Sequence, residues 1–309
     1  MSDSPLRRRK FATYMRNNYI LYLFLLPPAI YFIIFKYIPM FGVIIAFKDF
    51  NIFEGVMKSK WIGFSAFKEI FAMEDFWQVL RNTFTLNLLD LVFGFPLPII
   101  IAILLNEIKI TWFKKVTQTV LYLPHFLSWI VIGGLALELF ATDTGFINIA
   151  LQKFGLSQIP FLSNKWWWLF TYVLLGIWQS AGWNTIIYLA AITGINPELY
   201  EAAAIDGATR SQRIWHVTLP SIKPTIVIML ILNLGRMVSI GFDRPYVLGN
   251  NMVMEFSDVI STFVYRVGLQ SGQYTIATAV GLFQSVIGMI FLLTANYAAQ
   301  KIGEQGIFV

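Results

Sequence analysis

TIATAVGLFQSVIGMIFLLTANYA, residues 275–298, contains no Asp, Glu, Lys or Arg. A helix needs roughly 20 mainly apolar residues to cross the hydrocarbon of a bilayer, and this run meets that length. Five further stretches of the same character precede it, near residues 19–47, 79–105, 119–140, 167–192 and 225–242. Composition agrees with that reading. Hydrophobic residues make up 57% of the chain and charged residues 13%, whereas soluble domains carry about 25% charge. The mean hydropathy is +0.65. The expected fold is an all-α membrane protein of six transmembrane helices with both termini cytoplasmic. It divides into a basic N-terminus (1–18), a membrane domain (19–298) and a short cytoplasmic tail (299–309).

Orientation follows from Lys and Arg, which accumulate on the cytoplasmic side of membrane proteins. Arg7, Arg8, Arg9, Lys10, Arg16, Lys109, Lys114, Lys115, Arg210, Arg213, Lys223 and Lys301 fall inside if the N-terminus is inside. Lys36, Lys48, Lys58, Lys60, Lys68, Lys153, Lys165, Arg244 and Arg266 fall outside over a longer total length. The cluster at residues 7–10 decides the bias. The apolar run after it is too long for the core of a cleaved signal peptide and lacks a small-residue cleavage site, so it reads as a retained first helix. The net charge of +6 is spread along the chain rather than banded, which fits an inner-leaflet role and not nucleic-acid binding. No cysteine is present, which excludes disulfides, thiolate nucleophiles and thiolate metal sites. Pro27, Pro28 and Pro39 predict a kink or break in the first span, while Pro96 and Pro98 are of the kind bilayer helices tolerate. Trp166, Trp167 and Trp168 are expected at the outer headgroup layer.

The polar segment 196–223, NPELYEAAAIDGATRSQRIWHVTLPSIK, is long for a mere connection. Asn196 is a good N-cap, and Pro197 a good first helical residue. Asp206-Gly207 reads as a turn, because glycine accepts a positive φ at little steric cost. A second short helix is expected through Ile214, stopped by Leu219-Pro220. Two small helices joined at a glycine on the cytoplasmic surface suit docking to a partner, and suit equally an interfacial hairpin with none.

Glu201-Ala202-Ala203, three residues, Gly207, nine residues, Val217, one residue, Leu219-Pro220 resembles the EAA loop of bacterial ABC importer permeases, which usually carry Ile where Val217 stands. Leu123-Pro124-His125 and the segment 188–194 are similar to maltose-type sugar permeases, above all those serving lipoprotein-linked uptake of polysaccharide fragments. The resemblance extends over nearly the whole chain. It implies a type I ABC importer permease bundle in the bacterial cell membrane, with the loop forming a coupling helix in a groove of a separate ATPase. Glu201, Ala202, Ala203, Asp206, Gly207, Leu219 and Pro220 would then be the ATPase-coupling residues, with Glu201 in contact and Gly207 permitting the bend. The implied partners are a second permease, two ATPase subunits, an external sugar-binding lipoprotein and the sugar itself. ATP and Mg would sit on the ATPase, with no cofactor on this chain. No G-x-x-x-x-G-K-[ST] phosphate loop occurs, so another polypeptide would have to cradle the nucleotide in that way.

Ionisable residues inside spans are costly and mark functional sites by default. Asp90 lies mid-span in the second apolar stretch, with Asn87 three residues before it. Asn233, Arg236, Ser239 and Asp243 recur at three- and four-residue spacing in the fifth, which would align them on one helical face. Counted from the cytoplasmic ends, Asp90 and Arg236 fall at similar depth. They are expected either to pair structurally or to form a polar wall of a sugar pathway, and both can hold. The fourth span contributes Trp178, Gln179, Trp183 and Asn184, where flat rings and amides suit a pyranose but also suit packing or lipid. The fifth span is short and ends near Gly241 and Pro245, like a broken helix beside a binding site.

The remaining polar residues carry little. His125 and His216 have no acidic cluster at metal spacing, and no nucleophile, base and acid arrangement indicates an enzyme. The segment 49–77 could touch an external protein or be a solvated loop. A rival of another class, an ion-coupled secondary transporter working alone, predicts inverted repeats and an acid relay. No repeat is visible, and Asp90 is the main isolated acid.

Overall fold

The computed structural model describes residue 14, residues 17–303 and residues 306–307. The basic cluster at residues 7–10 and Arg16, which carry the orientation argument, lie outside the described residues. The helices are α1 (Tyr19–Phe47), α2 (Ser65–Ala72), α3 (Glu74–Glu107), α4 (Thr111–Phe126), α5 (Trp129–Phe140), α6 (Phe146–Lys153), α7 (Lys165–Thr193), α8 (Pro197–Ile205), α9 (Arg210–Leu234), α10 (Asp243–Leu248), α11 (Ile260–Val264) and α12 (Tyr274–Lys301). One departure from an all-α chain is a two-stranded antiparallel hairpin, β1 (Lys48–Asp49) and β2 (Lys60–Trp61), with Lys48 opposite Trp61. Thus 49–77 is structured rather than a plain loop: Trp61 stacks on Phe47 at 5.8 Å, and Lys48 Nζ donates to the Val56 carbonyl at 2.6 Å.

Four helices, α1, α3, α9 and α12, are long and apolar enough to cross a membrane. The predicted third span is not one rod. It is α4 and α5 meeting at 101°, and the pair makes a fifth crossing if it is one span. The break falls at Pro124 and Ser128, and Ser128 caps α5 by accepting from the Val131 N–H at 3.4 Å. The predicted fourth span is one unbroken helix of 29 residues, α7, capped by Asn164. Its three leading Trp, together with Gln179 and Asn184, dilute its hydropathy, and it packs on α3, α4 and α9. Trp168 turns into the protein rather than towards headgroups: it is 1% exposed, and its indole N–H donates to the Leu248 carbonyl at 2.8 Å.

Prolines accompany three of the places where the helices widen; the π-helical stretch Tyr265–Gln270 has none after it. Residues Ile33–Tyr37, Asp90–Gly94 and Ile214–Thr218 each form a π-helical turn. A proline follows each turn by two residues: Pro39, Pro96 and Pro220. Proline offers no N–H and its ring presses on the preceding turn. An i→i+5 turn widens the helix at that place, so the helix continues. This overturns the expectation that Leu219-Pro220 stops a short helix. The second arm of the hairpin at 196–223 runs on as α9 for 25 residues.

Three apolar cores hold the bundle. One gathers Phe140, Trp168, Tyr172 and Leu248; a second Ile70, Phe76, Ile276 and Val280; a third Ala102, Tyr188, Ile192 and Ile222. In contrast, residues 19–40 of α1 are all exposed, Phe24 by 76%, and only the end of that helix, with Ala46 fully buried, packs on the rest of the chain.

Candidate functional site

A cavity of about 510 Å³ opens between α3, α7 and the end of α9. The π turn in α3 sets Asp90 on its wall. From α7 come Ile177, Ser180, Asn184 and Tyr188, spaced three and four apart on one face. The α9 helix ends at Leu234, earlier than the predicted 242, and residues 235–242 form turns and irregular chain. Gly235 sits at this break, where the α12 helix comes close: a β-carbon there would lie 2.9 Å from Leu292 Cδ1.

A broken helix leaves carbonyls without partners, and a buried carbonyl needs a donor. Asn87 and Gln284 supply donors here. Asn87 Nδ2 donates to the Met237 and Arg236 carbonyls at 2.9 and 3.3 Å, and Gln284 Nε2 donates to the Val238 carbonyl at 2.8 Å. The four residues expected on one face of the fifth span are therefore separated. Asn233 and Arg236 line the cavity, as does Ser239 on the irregular chain, while Asp243 is exposed at the first position of α10 and does not.

Asp90 pairs with Arg244, not with Arg236. Arg244 Nη1 lies 2.6 Å from Asp90 Oδ2 and Nη2 lies 3.1 Å from Oδ1, a two-point contact. Nη2 also donates to the Tyr172 carbonyl at 2.6 Å, and the guanidinium lies 3.7 Å over the Tyr172 ring. Depth counting along a straight fifth helix favours Arg236. The break at Gly235 ends that helix, and the short α10 brings Arg244 to the carboxylate. Gly176 makes room, since a β-carbon there would overlap the guanidinium. Arg244 is the site residue that sequence reasoning missed, and the signal was present as an arginine beside Pro245, just beyond Gly241.

Of the fourth-span candidates, Asn184 lines the cavity and the others do not. Trp183 stacks on His125 at 4.4 Å and 5°, and Gln179 donates to the His125 carbonyl at 3.4 Å, both towards the α4–α5 bend. Trp178 is exposed away from the cavity.

The second arrangement is the hairpin of α8 and the start of α9. Asn196 accepts from the Glu198 N–H at 3.1 Å. At the other end Gly207 has φ +75°, the Gly207 N–H donates to Ala204 O at 3.1 Å and the Ala208 N–H to Ala203 O at 2.9 Å. That is a Schellman cap, which the glycine permits. Thr209 then opens the second arm: its N–H donates to Gln212 Oε1 at 2.8 Å, while its hydroxyl accepts from the Gln212 N–H at 3.4 Å. A 3.0 Å hydrogen bond between the Tyr200 and Thr218 hydroxyls joins the arms. No residue of α8 is buried, and Ile205 is 87% exposed. Glu201, Ala202, Asp206, Gly207 and Pro220 are all exposed, and Ala203 and Leu219 are half-buried.

Apolar rods of membrane length around a polar cavity, with an uncovered helical hairpin continuous with one rod, define a membrane transport component. A family model described as the binding-protein-dependent transport system inner membrane component matches residues 94–304, and the chain belongs to that family. It is 45% identical to the polygalacturonan/rhamnogalacturonan transport system permease protein YteP of Bacillus subtilis (strain 168), over 98% of this chain and 94% of the relative. It also resembles a solved bacterial ABC transporter involved in the import of the acidic polysaccharide alginate. The TM-score is 0.86 and the identity 41%, covering 95% of this chain and 99% of that one. A bacterial alginate ABC transporter in complex with alginate pentasaccharide-bound periplasmic protein matches with TM-score 0.86 and 40% identity, over 96% and 99% of the two chains.

Proposed function

We propose that this chain is a permease subunit of an ATP-driven importer of oligosaccharides or polysaccharide fragments. The observation that carries the reading is the continuity of α9, which starts in the exposed hairpin and ends at Leu234, with Asn233 of its last turn on the cavity wall. The named cargoes of the relatives support the carbohydrate part, and the periplasmic protein bound to one of them supports an external binding protein as partner.

In this reading six spans cross the bacterial cytoplasmic membrane with both termini inside, α7 and the α4–α5 pair completing the count. A second permease faces the cavity from the other side. Two ATPase subunits, with ATP and Mg, take the hairpin through Glu201, Ala202, Ala203, Asp206 and Gly207, and Leu219 and Pro220 join it to the span. ATPase closure moves the hairpin, and α9 conveys the motion to the cavity, opening it alternately to each side.

Copurification from detergent with an ATPase subunit tests the reading. Glu201→Lys is expected to abolish uptake and weaken copurification while membrane insertion persists. Solute accumulation by the purified chain alone, driven by an ion gradient, overturns it.

A further inference from the structure

Three charged side chains line the cavity: Asp90, Arg236 and Arg244. One carboxylate against two guanidiniums leaves one positive charge. The two arginines are not equivalent. Both oxygens of Asp90 are engaged by Arg244, whose side chain is only 12% exposed and is further held by the Tyr172 carbonyl. Arg236 takes part in the helix break through its backbone alone. Its N–H donates to Asn233 O at 3.0 Å and its carbonyl accepts from Asn87. Among the described residues its guanidinium has no ion pair or side-chain hydrogen bond, and it is exposed to the cavity.

A charge within a membrane bundle is costly unless something answers it. The remaining polar lining includes Asn184, Asn233 and Ser239, neutral groups that bond hydroxyls and cannot neutralise a cation. A planar guanidinium matches a carboxylate at two points, which an ammonium does not. We infer that the cargo is anionic, an oligosaccharide bearing uronate carboxylates, and that Arg236 is the residue that binds a carboxylate during passage. Arg244, locked to Asp90, shapes the wall without competing for it. This rests on the permease reading above and adds the charge of the substrate and the residue that reads it.

The test uses the complete importer in proteoliposomes, with its external binding protein. The probes are galacturonate, mannuronate and guluronate trimers, each beside its carboxyl-reduced neutral counterpart. The binding protein is the same in every sample, so a change in the acid-to-neutral ratio between variants arises in the permease. Wild type is expected to take up at least one uronate trimer in preference to its neutral form. Arg236→Gln should raise the half-saturating concentration for that trimer tenfold or more, without a matching change for the neutral form, and Arg236→Lys should fall between. An equal loss for both forms shows that Arg236 answers a carboxylate of the companion permease or is structural, and overturns the proposal. So does unchanged uptake in Arg236→Gln, or failure of every uronate trimer to enter. Failure of the chain to assemble with an ATPase is a separate result and counts against the permease reading instead.

Discussion

Arg244 reaches Asp90 across 154 positions of sequence and holds both carboxylate oxygens, at 2.6 and 3.1 Å. The contact ties α10, beyond the break in the fifth span, to the π turn of α3. Removing one partner of a fully buried pair costs about 3–5 kcal/mol. Asp90 is 31% exposed, which lowers the expected cost of Asp90→Asn to roughly 1–3 kcal/mol. The thermal midpoint of the purified complex should fall in Asp90→Asn and in Arg244→Gln, and the double variant should lose less than the sum of the two. Additive losses would show that the pair is not coupled.

Asn87→Leu should loosen the break rather than the bundle. It withdraws the donor from the Met237 carbonyl, while the Arg236 carbonyl keeps the Ser239 N–H at 2.8 Å and the Gln284 bond to Val238 remains. Leaving such groups unpaired costs about 1–3 kcal/mol. Hydrogen exchange is expected to rise across 235–241 and to stay unchanged in α12. Protection equal to wild type would mean that water replaces the amide without loss.

At Gly207 the limit is backbone conformation, not space, since a β-carbon there meets nothing within 4 Å. An L-residue in that left-handed conformation costs about 1–2 kcal/mol, and Asn tolerates it best. Gly207→Val should therefore reduce coupled uptake about tenfold or more, and Gly207→Asn much less. Equal loss in both would point to side-chain crowding against the docked partner.

Asp258 gives the segment between the last two spans a pH dependence. Burial raises its carboxyl pKa, opposed by the Thr262 hydrogen bond and by Arg266 at 2.5 Å, with Asp75 adding to the rise. A folded-state pKa above the unfolded value favours folding while the group is protonated, and that contribution fades as pH rises through the folded pKa. Limited proteolysis within 254–270 should thus be slower under mildly acidic conditions than at neutral pH, and Asp258→Asn should flatten the difference. Faster cleavage on acidification would mean that the pairing with Arg266 outweighs burial.

Apolar runs marked most of the long helices, and Asn196, Pro197 and Gly207 marked the hairpin, because capping and turn chemistry are local. Burial and pairing across the bundle were not legible in that way. Trp168 looked like an interfacial indole because three tryptophans in a row say nothing of which one turns inward. Asp90 was matched to Arg236 by counting along a straight rod, and Gly235 ends that rod. Pro220 looked like a stop because the widened turn that accommodates it is a property of the helix geometry rather than of one residue. Within the cavity, Asp90, Asn184, Asn233 and Arg236 were visible as polar residues in apolar surroundings, whereas Arg244 was assigned to an outer loop.

The unbroken course of α9 has a mechanical consequence. At ~1.5 Å per residue its 25 residues make a lever arm of roughly 37 Å. Pivoting it by only ~5° about the hairpin swings its far tip by ~3 Å, about the width of one hydrogen bond. In the proposed importer so small a rotation is enough to disengage the groups that meet at Asn233, and α7, which packs directly on α9, has to give with it.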